Sequence, residues 1–218
     1  MLRGKAGTKI YLSLRDIYES IQGEGLLVGT LSVFLRFQGC NLRCSWCDQP
    51  EALEFADPNM ELTKVLRIIR NFKAKHVVIT GGEPFCHKEL ITLSKSLLET
   101  GYSLQIETNG TIWLEGMEDL ASRIHITCSP KATASFFVNP SVLKYASELK
   151  FVVDGTLEEE NLLRSEFIHF LLTGRVVLQP EGNKPNFLKK AFELQKKLSE
   201  AGYRVRVIPQ IHKFLGIP

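Results

Sequence analysis

Three of the chain's five cysteines fall within eight positions, in the stretch GCNLRCSWCDQPE at residues 39–51. Cys40, Cys44 and Cys47 have three and then two residues between them, so their thiolates can gather around one soft metal centre. Zinc is the first metal to weigh. A structural zinc site needs four closed ligands, usually in two separated pairs, and the remaining cysteines, Cys86 and Cys128, form no second pair. A zinc-stabilised binding module is therefore the weaker alternative.

The same triad suits a [4Fe–4S] cluster in which three irons have a cysteine ligand and the fourth iron stays open. An open iron can chelate the amino and carboxylate groups of S-adenosylmethionine and pass one electron into its sulfonium, which releases a 5′-deoxyadenosyl radical. The C-x3-C-x2-C spacing on a loop after a strand resembles the radical S-adenosylmethionine (SAM) superfamily. Trp46 is expected to shield the cluster or pack on the adenine, unless it only covers the core.

A glycine pair forms the second motif, TGGEP at residues 80–84. Glycines let the backbone approach a ligand closely. In the superfamily this segment holds the methionyl amino group, so the resemblance assigns Gly82 to SAM. Without the cysteine triad, the same segment could equally be an ordinary turn.

Strand-like and helical patterns alternate along the chain, which predicts a mostly parallel sheet with crossover helices in an α/β fold. Ligands of such sheets bind at the carboxyl ends of the strands, where the unusual residues of this chain cluster. The resemblance implies an abbreviated, partial (β/α) barrel of the radical SAM type. We expect one domain over residues 1–218, with a tail at 209–218 closing the substrate pocket. The predicted strands span 32–37, 76–80, 103–108, 123–129, 149–154, 175–180 and 203–210, and the predicted helices span 61–72, 89–100, 157–171 and 186–202.

Further stretches narrow the superfamily to one family. They are YESIQGEGLLVGTLSVFLRFQGCNLRCSWCD, ETNGT, SPK, ELKFVVD, LQPEGN and HKFLGIP, in that order along almost the whole chain. Together they resemble the 7-carboxy-7-deazaguanine synthase family. The resemblance implies a carbon–nitrogen lyase (EC 4.3.99.3) that converts 6-carboxy-5,6,7,8-tetrahydropterin into 7-carboxy-7-deazaguanine with loss of ammonia, on the route to queuosine-type 7-deazapurines. The alternative enzyme is an activase of glycyl-radical enzymes, which shares the triad.

The resemblance also assigns residues to the substrate. Arg36 offers a guanidinium fork for the substrate carboxylate, and Glu24 can accept from the pterin's N–H groups, unless the two side chains form a salt bridge with each other. The tail is expected to fold into the pocket, so that residues added after Pro218 would weaken substrate binding. The substrate-binding residues implied are Ile21, Gln22, Gly23, Glu24, Arg36, Thr80, His212 and Pro218.

The resemblance places SAM at the carboxyl ends of four predicted strands. In ETNGT, Glu107 and Asn109 either face the ribose of SAM or brace the turn. The SAM-binding residues implied are Trp46, Cys47, Asp48, Gly82, Ser129, Pro130, Lys131, Gln179, Pro180, Glu181 and Gly182.

One position departs from the family. The residue after Cys-Asp is commonly threonine there, and its hydroxyl helps to hold a Mg²⁺ that also binds the substrate; this chain has Gln49. Magnesium prefers hard oxygen ligands in tight octahedral geometry. A glutamine carbonyl is such an oxygen, but its longer arm moves the ligand outward. Either the site shifts to suit this reach, a water bridges the gap, or the dependence on Mg²⁺ is weakened. We expect Gln49 as the magnesium ligand, with weaker dependence on Mg²⁺ than in relatives that carry threonine.

Composition fits an ordinary globular enzyme, with 44% hydrophobic residues and a net charge of +3 in 218 residues. The small positive charge does not argue for nucleic-acid binding, and no apolar run is long enough to span a membrane. An odd cysteine count with three cysteines clustered indicates a reducing compartment, so we expect a cytoplasmic protein. The resemblance implies a homodimer that receives electrons from a donor such as flavodoxin or ferredoxin.

Overall fold

The computed structural model describes residues 9–218 and is organised around one eight-stranded sheet. The strands are β1 (Tyr11–Leu12), β2 (Leu14–Ile21), β3 (Leu31–Phe37), β4 (Met60–Glu61), β5 (His76–Gly81), β6 (Ser103–Thr108), β7 (Ile124–Cys128), β8 (Glu148–Val153), β9 (Val176–Pro180) and β10 (Val205–Val207). The order in the large sheet is β10-β9-β8-β7-β6-β5-β3-β2, and β1 and β4 form a separate antiparallel pair. All neighbours in the large sheet are parallel except β2, which runs antiparallel to β3.

Helices connect most of the parallel strands. They are α1 (Leu62–Arg70), α2 (Glu89–Glu99), α3 (Glu118–Ala121), α4 (Pro140–Tyr145), α5 (Glu159–Leu162), α6 (Ile168–Leu172), α7 (Pro185–Glu200) and α8 (Ile211–Leu215). From β6 onward, each strand lies beside the strand that precedes it in sequence, while β2 and β10 occupy opposite ends of the sheet. The predicted α/β class, with a mostly parallel, unclosed barrel, is therefore confirmed.

The core lies between the sheet and its helices. Leu35 and Ile79 of β3 and β5 are fully buried, and Val65 and Ile69 of α1 lie four residues apart in the same apolar cluster. A second cluster joins Phe151 of β8 to α7. Residues four apart share one helix face, so the amphipathic pattern of the sequence directs each helix onto the sheet. Within residues 9–218, no helix is long and apolar enough to cross a membrane.

Four local predictions were wrong. The helix predicted at 157–171 is split into α5 and α6 by a 3₁₀ turn at Ser165–Phe167. The strand predicted at 203–210 is limited to the three residues of β10. Helix α7 spans Pro185–Glu200 instead of the predicted 186–202, and it begins at a proline, whose fixed φ suits a first helical turn. Strand β2 was missed because most of its residues are only half-buried on both faces, which gives no clean alternation.

Candidate active site

A cleft that is partly open to solvent lies at the carboxyl ends of the parallel strands, and the empty space between its walls, counting open solvent, is about 1300 Å³. Its walls come from the segments that follow β3, β5, β6, β7 and β9, together with β8 and the tail. The predicted site residues that border it are Ile21, Gln22, Gly23, Glu24, Arg36, Cys40, Cys44, Trp46, Cys47, Asp48, Gln49, Thr80, Gly82, Ser129, Lys131, Gln179, Glu181, Gly182, His212 and Pro218.

Two predicted site residues lie elsewhere. Pro130 and Pro180 are buried at the ends of β7 and β9 and do not border the cleft. Each precedes a residue that does border it, Lys131 and Glu181 respectively. In the structure, the two prolines therefore shape the backbone of the wall and do not present a side chain to the cleft.

Hydrogen bonds within the cysteine loop hold it in shape. The Cys47 N–H donates to the Cys44 carbonyl at 3.1 Å, and the Arg43 guanidinium donates to the Cys40 carbonyl at 2.7 Å. All five cysteines are free thiols, and burial raises the pKa of Cys40 and Cys47. A metal centre binds thiolates and releases their protons. Three free sulfurs on one ordered loop form a soft donor set that fits an iron–sulfur cluster.

The zinc alternative finds no support in the part of the chain that the structure covers. No three His, Cys, Asp or Glu side chains among residues 9–218 are placed to hold one metal ion. A structural zinc site requires four ligands on a single ion, whereas an iron–sulfur cube gives each cysteine its own iron.

The glycine pair packs directly on the cysteine loop. The Gly82 N–H donates to the Phe37 carbonyl at 3.0 Å, and the Glu83 N–H donates to the Gly39 carbonyl at 2.8 Å. A Cβ at Gly82 would lie 2.0 Å from the Gly39 carbonyl oxygen, and Gly81 has a φ of +130°. Only glycine fits at either position, so the backbone of this turn can approach a ligand beside the cysteines.

The Glu83 carboxylate is a structural tie below the cleft. It is fully buried and accepts from the Phe85 N–H at 3.0 Å, the Thr108 hydroxyl at 2.8 Å and the Asn109 N–H at 2.6 Å. Burial raises the pKa of Glu83 despite these donors. The tie fixes the ends of β5 and β6 relative to each other.

Glu107 and Asn109 take different roles in the structure. Asn109 braces the turn, since its side-chain oxygen accepts from the Thr111 N–H at 2.9 Å and its amide donates to Asn41 of the cysteine loop at 2.9 Å. Glu107 faces the cleft and accepts from Gln22 at 3.0 Å and from the Thr80 hydroxyl at 3.3 Å.

One side of the cleft carries the residues predicted for SAM. The Lys131 ammonium lies 5.1 Å from the centre of the Trp46 ring and donates to the Ser129 hydroxyl at 2.7 Å. Burial, and then the nearby Lys150 charge, lower the pKa of Lys131. Gln179 is 4% exposed, and its Oε1 has no hydrogen-bond partner within residues 9–218. A buried acceptor without a partner is costly unless a ligand donor satisfies it.

The opposite side carries a network of buried charges. The Lys150 ammonium pairs with Glu24 and lies 3.8 Å from Glu107. Burial alone would raise the pKa of Glu24, but the Lys150 charge and hydrogen bonds from Lys150 and Gln210 outweigh it and lower that pKa to about 2. Glu24 is therefore an ionised acceptor at neutral pH. Sequence reasoning assigned no role to Lys150, because its burial depends on β8 lying between two other strands.

Arg36 has partners other than Glu24. Its guanidinium donates to the Tyr18 hydroxyl at 2.7 Å and lies 3.6 Å from an Asp16 carboxylate oxygen. The alternative of a salt bridge between Glu24 and Arg36 is therefore wrong. Both neighbours of Arg36 come from β2, the strand that the sequence did not predict, and they leave the guanidinium at the cleft wall.

The tail crosses the mouth of this charged side. The Ile211 N–H donates to the Gly23 carbonyl at 3.0 Å, and the Ser20 hydroxyl donates to a Pro218 oxygen at 2.6 Å. A Cβ at Gly23 would lie 2.1 Å from Nδ1 of His212, so the tail rests on a glycine that leaves it room.

Known proteins match this chain both in sequence and in structure. Residues 34–146 match the model of the radical SAM superfamily. The chain is 56% identical to the 7-carboxy-7-deazaguanine synthase of Aquifex aeolicus, with 98% of each chain covered. It is 35% identical to that of Rickettsia prowazekii, covering 97% of this chain and 90% of the relative. The crystal structure of QueE from Escherichia coli superposes with a TM-score of 0.70 at 26% identity, covering 90% and 92% of the two chains.

These matches extend beyond the cysteine triad. The similarity to the synthases covers nearly the whole chain. Superfamily membership brings SAM and a [4Fe–4S] cluster as cofactors. The chain therefore belongs to the 7-carboxy-7-deazaguanine synthase family of the radical SAM superfamily.

Proposed function

We propose that this enzyme converts 6-carboxy-5,6,7,8-tetrahydropterin into 7-carboxy-7-deazaguanine and ammonia, as a carbon–nitrogen lyase of 7-deazapurine biosynthesis. The observation that carries the proposal is the 56% identity to a synthase of that name over 98% of the chain. The structure supports it with one cleft bordered by three free cysteines and by a set of buried charges. The cysteines fit the superfamily's cofactors, and the buried charges fit a polar, carboxylated heterocycle.

Cys40, Cys44 and Cys47 would hold the [4Fe–4S] cluster. When bound there, the cluster and SAM would supply the one-electron chemistry that starts the reaction on the substrate. The backbone at Gly82 and the side chains of Ser129 and Lys131 would position SAM beside the cysteine loop. Oε1 of Gln179, which has no hydrogen-bond partner in the described part of the chain, would accept from a SAM N–H group.

The charged side would bind the pterin. The Arg36 guanidinium, held by Tyr18 and Asp16, is suited to a carboxylate, because its N–H groups form a planar fork. Glu24 is an ionised acceptor for the amino and ring N–H groups, and hydrogen bonds to a charged partner contribute about 1.5–3 kcal/mol each. Gln22, Gly23 and Thr80 border the same wall.

His212 and Pro218 would close the pocket from the tail side and limit the access of water. Both residues border the cleft, and the tail is tied to Gly23 and Ser20. Exclusion of water strengthens the ionic contacts to the substrate and protects a reactive radical from side reactions.

The metal and partner assignments are part of the same proposal. Gln49 borders the cleft next to Asp48 and would place a carbonyl oxygen near a Mg²⁺ bound with the substrate, at longer reach than a hydroxyl. The enzyme would work as a cytoplasmic homodimer and take electrons from a flavodoxin or ferredoxin.

The deciding experiment is anaerobic reconstitution with iron and sulfide, followed by incubation with SAM, a reductant and the carboxytetrahydropterin. We expect the contracted-ring product by mass spectrometry, together with ammonia. Formation of 5′-deoxyadenosine without that product would favour the activase alternative and overturn the proposal.

A further inference from the structure

Gln210, at the start of the tail, is a buried polar residue that the proposed mechanism has not used. It is 3% exposed and lies between β10 and α8. Its backbone N–H donates to Oδ1 of Asn183 at 2.8 Å, and its carbonyl accepts from Nδ2 of the same side chain at 2.9 Å. Asn183 has a φ of +56° in the turn between β9 and α7. This reciprocal pair fixes the main chain of Gln210 against the wall that carries Gly182.

The side chain of Gln210 points into the cleft and joins two carboxylates. Its Nε2 donates to Oε1 of Glu24 at 2.7 Å and lies 3.4 Å from Oδ2 of Asp48. The other oxygen of Glu24 is paired with Lys150. Each Glu24 oxygen thus has one fixed protein donor, which sets the plane of the carboxylate. An ionised carboxylate has about four lone-pair sites, so acceptor capacity remains for a ligand.

The tail has other attachments that do not involve this amide. The Ile211 N–H contact to Gly23 and the Ser20 contact to Pro218 hold the segment on either side of α8. The Asn183 pair uses only the backbone of Gln210. Removing the side-chain amide therefore leaves the path of the tail supported and changes mainly the donor set around Glu24.

We propose that Gln210 is a positioning residue for substrate recognition, which acts by orienting the Glu24 carboxylate toward the pterin's N–H edge. This inference rests on the proposed function, because it takes the pterin as the ligand of Glu24. Gln210 also links that carboxylate to Asp48 beside the last cysteine, so the substrate side and the cysteine loop share one donor. Loss of the amide should misplace the substrate relative to the cofactor side.

The test uses the reconstituted holoenzyme and the variant Q210M, which keeps the length of the side chain and removes its donor. Pterin and SAM dissociation constants are measured by calorimetry without reductant, and the ratio of 5′-deoxyadenosine to deazaguanine product is measured in turnover. We expect pterin binding to weaken about 10-fold or more, as for loss of a hydrogen bond to a charged group. SAM affinity should stay within about 2-fold, and the ratio should rise as cleavage becomes uncoupled.

The matched control is Q195M, since Gln195 makes one side-chain hydrogen bond to the Val205 carbonyl at 3.0 Å, away from the cleft. It should bind pterin as the wild type does. The second variant, Q210N, keeps the amide but is one methylene shorter, and should also weaken pterin binding. Wild-type affinity in Q210M or Q210N, or equal weakening in Q195M, would overturn the inference. Absence of the contracted product from the wild type would instead refute the proposed function.

Discussion

Replacing Lys150 with methionine should destabilise the protein strongly and in a pH-dependent way. The Lys150 side chain is 6% exposed and Glu24 is 13% exposed, so water screens their ion pair little. Glu107 lies 3.8 Å away on the other side of the ammonium. The variant K150M would leave two carboxylates in the cleft wall without their cation.

The size of the effect follows from the Glu24 carboxyl. Lowering the pKa of Glu24 from 4.5 to about 2 corresponds to about 3 kcal/mol of folding free energy. Removing one partner of a buried ion pair typically costs about 3–5 kcal/mol. For a chain of this size, 3 kcal/mol lowers the melting temperature by roughly 6–12 °C.

Glu24 also determines how the stability of the folded protein depends on pH. Because the folded pKa of Glu24 lies below the unfolded value, its contribution is present above pH 4.5 and is lost as the pH falls through 2. In K150M the cation is gone, and burial then raises the pKa of Glu24. Acid therefore protonates the unpaired Glu24 carboxylate and stabilises the variant. The gap between wild type and variant should therefore narrow on acidification from neutral pH.

Urea unfolding of the reconstituted protein, followed by circular dichroism at neutral and mildly acidic pH, measures both effects. The control K196M breaks an exposed pair with Glu193, whose side chains are 48% and 50% exposed, and should cost about 0–1 kcal/mol. The double variant E24Q/K150M removes both charges of the buried pair and should be more stable than K150M. Equal unfolding midpoints for K150M and wild type at neutral pH, or a gap that widens in acid, would refute the reasoning.

Three further predictions concern the site. C44A should lose the visible absorption of the cluster after reconstitution, whereas C86A, which changes a cysteine outside the triad, should keep it; equal loss in both would contradict the assignment. R36K should raise the KM for the pterin about 10-fold and leave the KM for SAM unchanged, because an ammonium cannot make the two parallel bonds of a guanidinium, and an unchanged pterin KM would count against it. Q49T should increase the stimulation of turnover by Mg²⁺ relative to the wild type, and equal stimulation of both proteins would show that residue 49 does not set the metal dependence.

Much of the sheet was predictable because its strands are short, buried and followed by glycine or polar turns. HVVIT could be assigned from sequence because it lies inside the sheet, where burial on two faces favours a continuous apolar run. SLQIET could be assigned because its apolar residues, Leu104 and Ile106, alternate with polar ones. Strand β2 could not, because LRDIYESI lies at the sheet edge and most of its residues are half-buried. The split of the segment at 157–171 depends on how α6 packs, which local periodicity does not encode.

Some parts of the site were likewise predictable from the sequence, and others were not. The cysteine triad and the glycine turn are local motifs, so both could be recognised in the sequence, and their resemblance to the radical SAM superfamily predicted the chemistry. The ion pair between Lys150 and Glu24 joins residues 126 positions apart, and no sequence pattern indicates that they pair. The contact of Asn183 with Gln210 spans 27 positions and depends on where β10 ends. Such long-range partners became visible only once the strand order placed β8 and the tail beside the loop at residues 22–24.

The close contact between Gly82 and Gly39 makes the two cofactor segments one mechanical unit. The turn after β5 rests on the carbonyl just before Cys40, with no space for even a methyl group between them. A side chain at position 82 would push both backbones apart simultaneously. Iron content and SAM affinity should consequently both decrease in such a protein. A variant first noticed because it retains its cofactor poorly would also have a disturbed geometry for electron transfer.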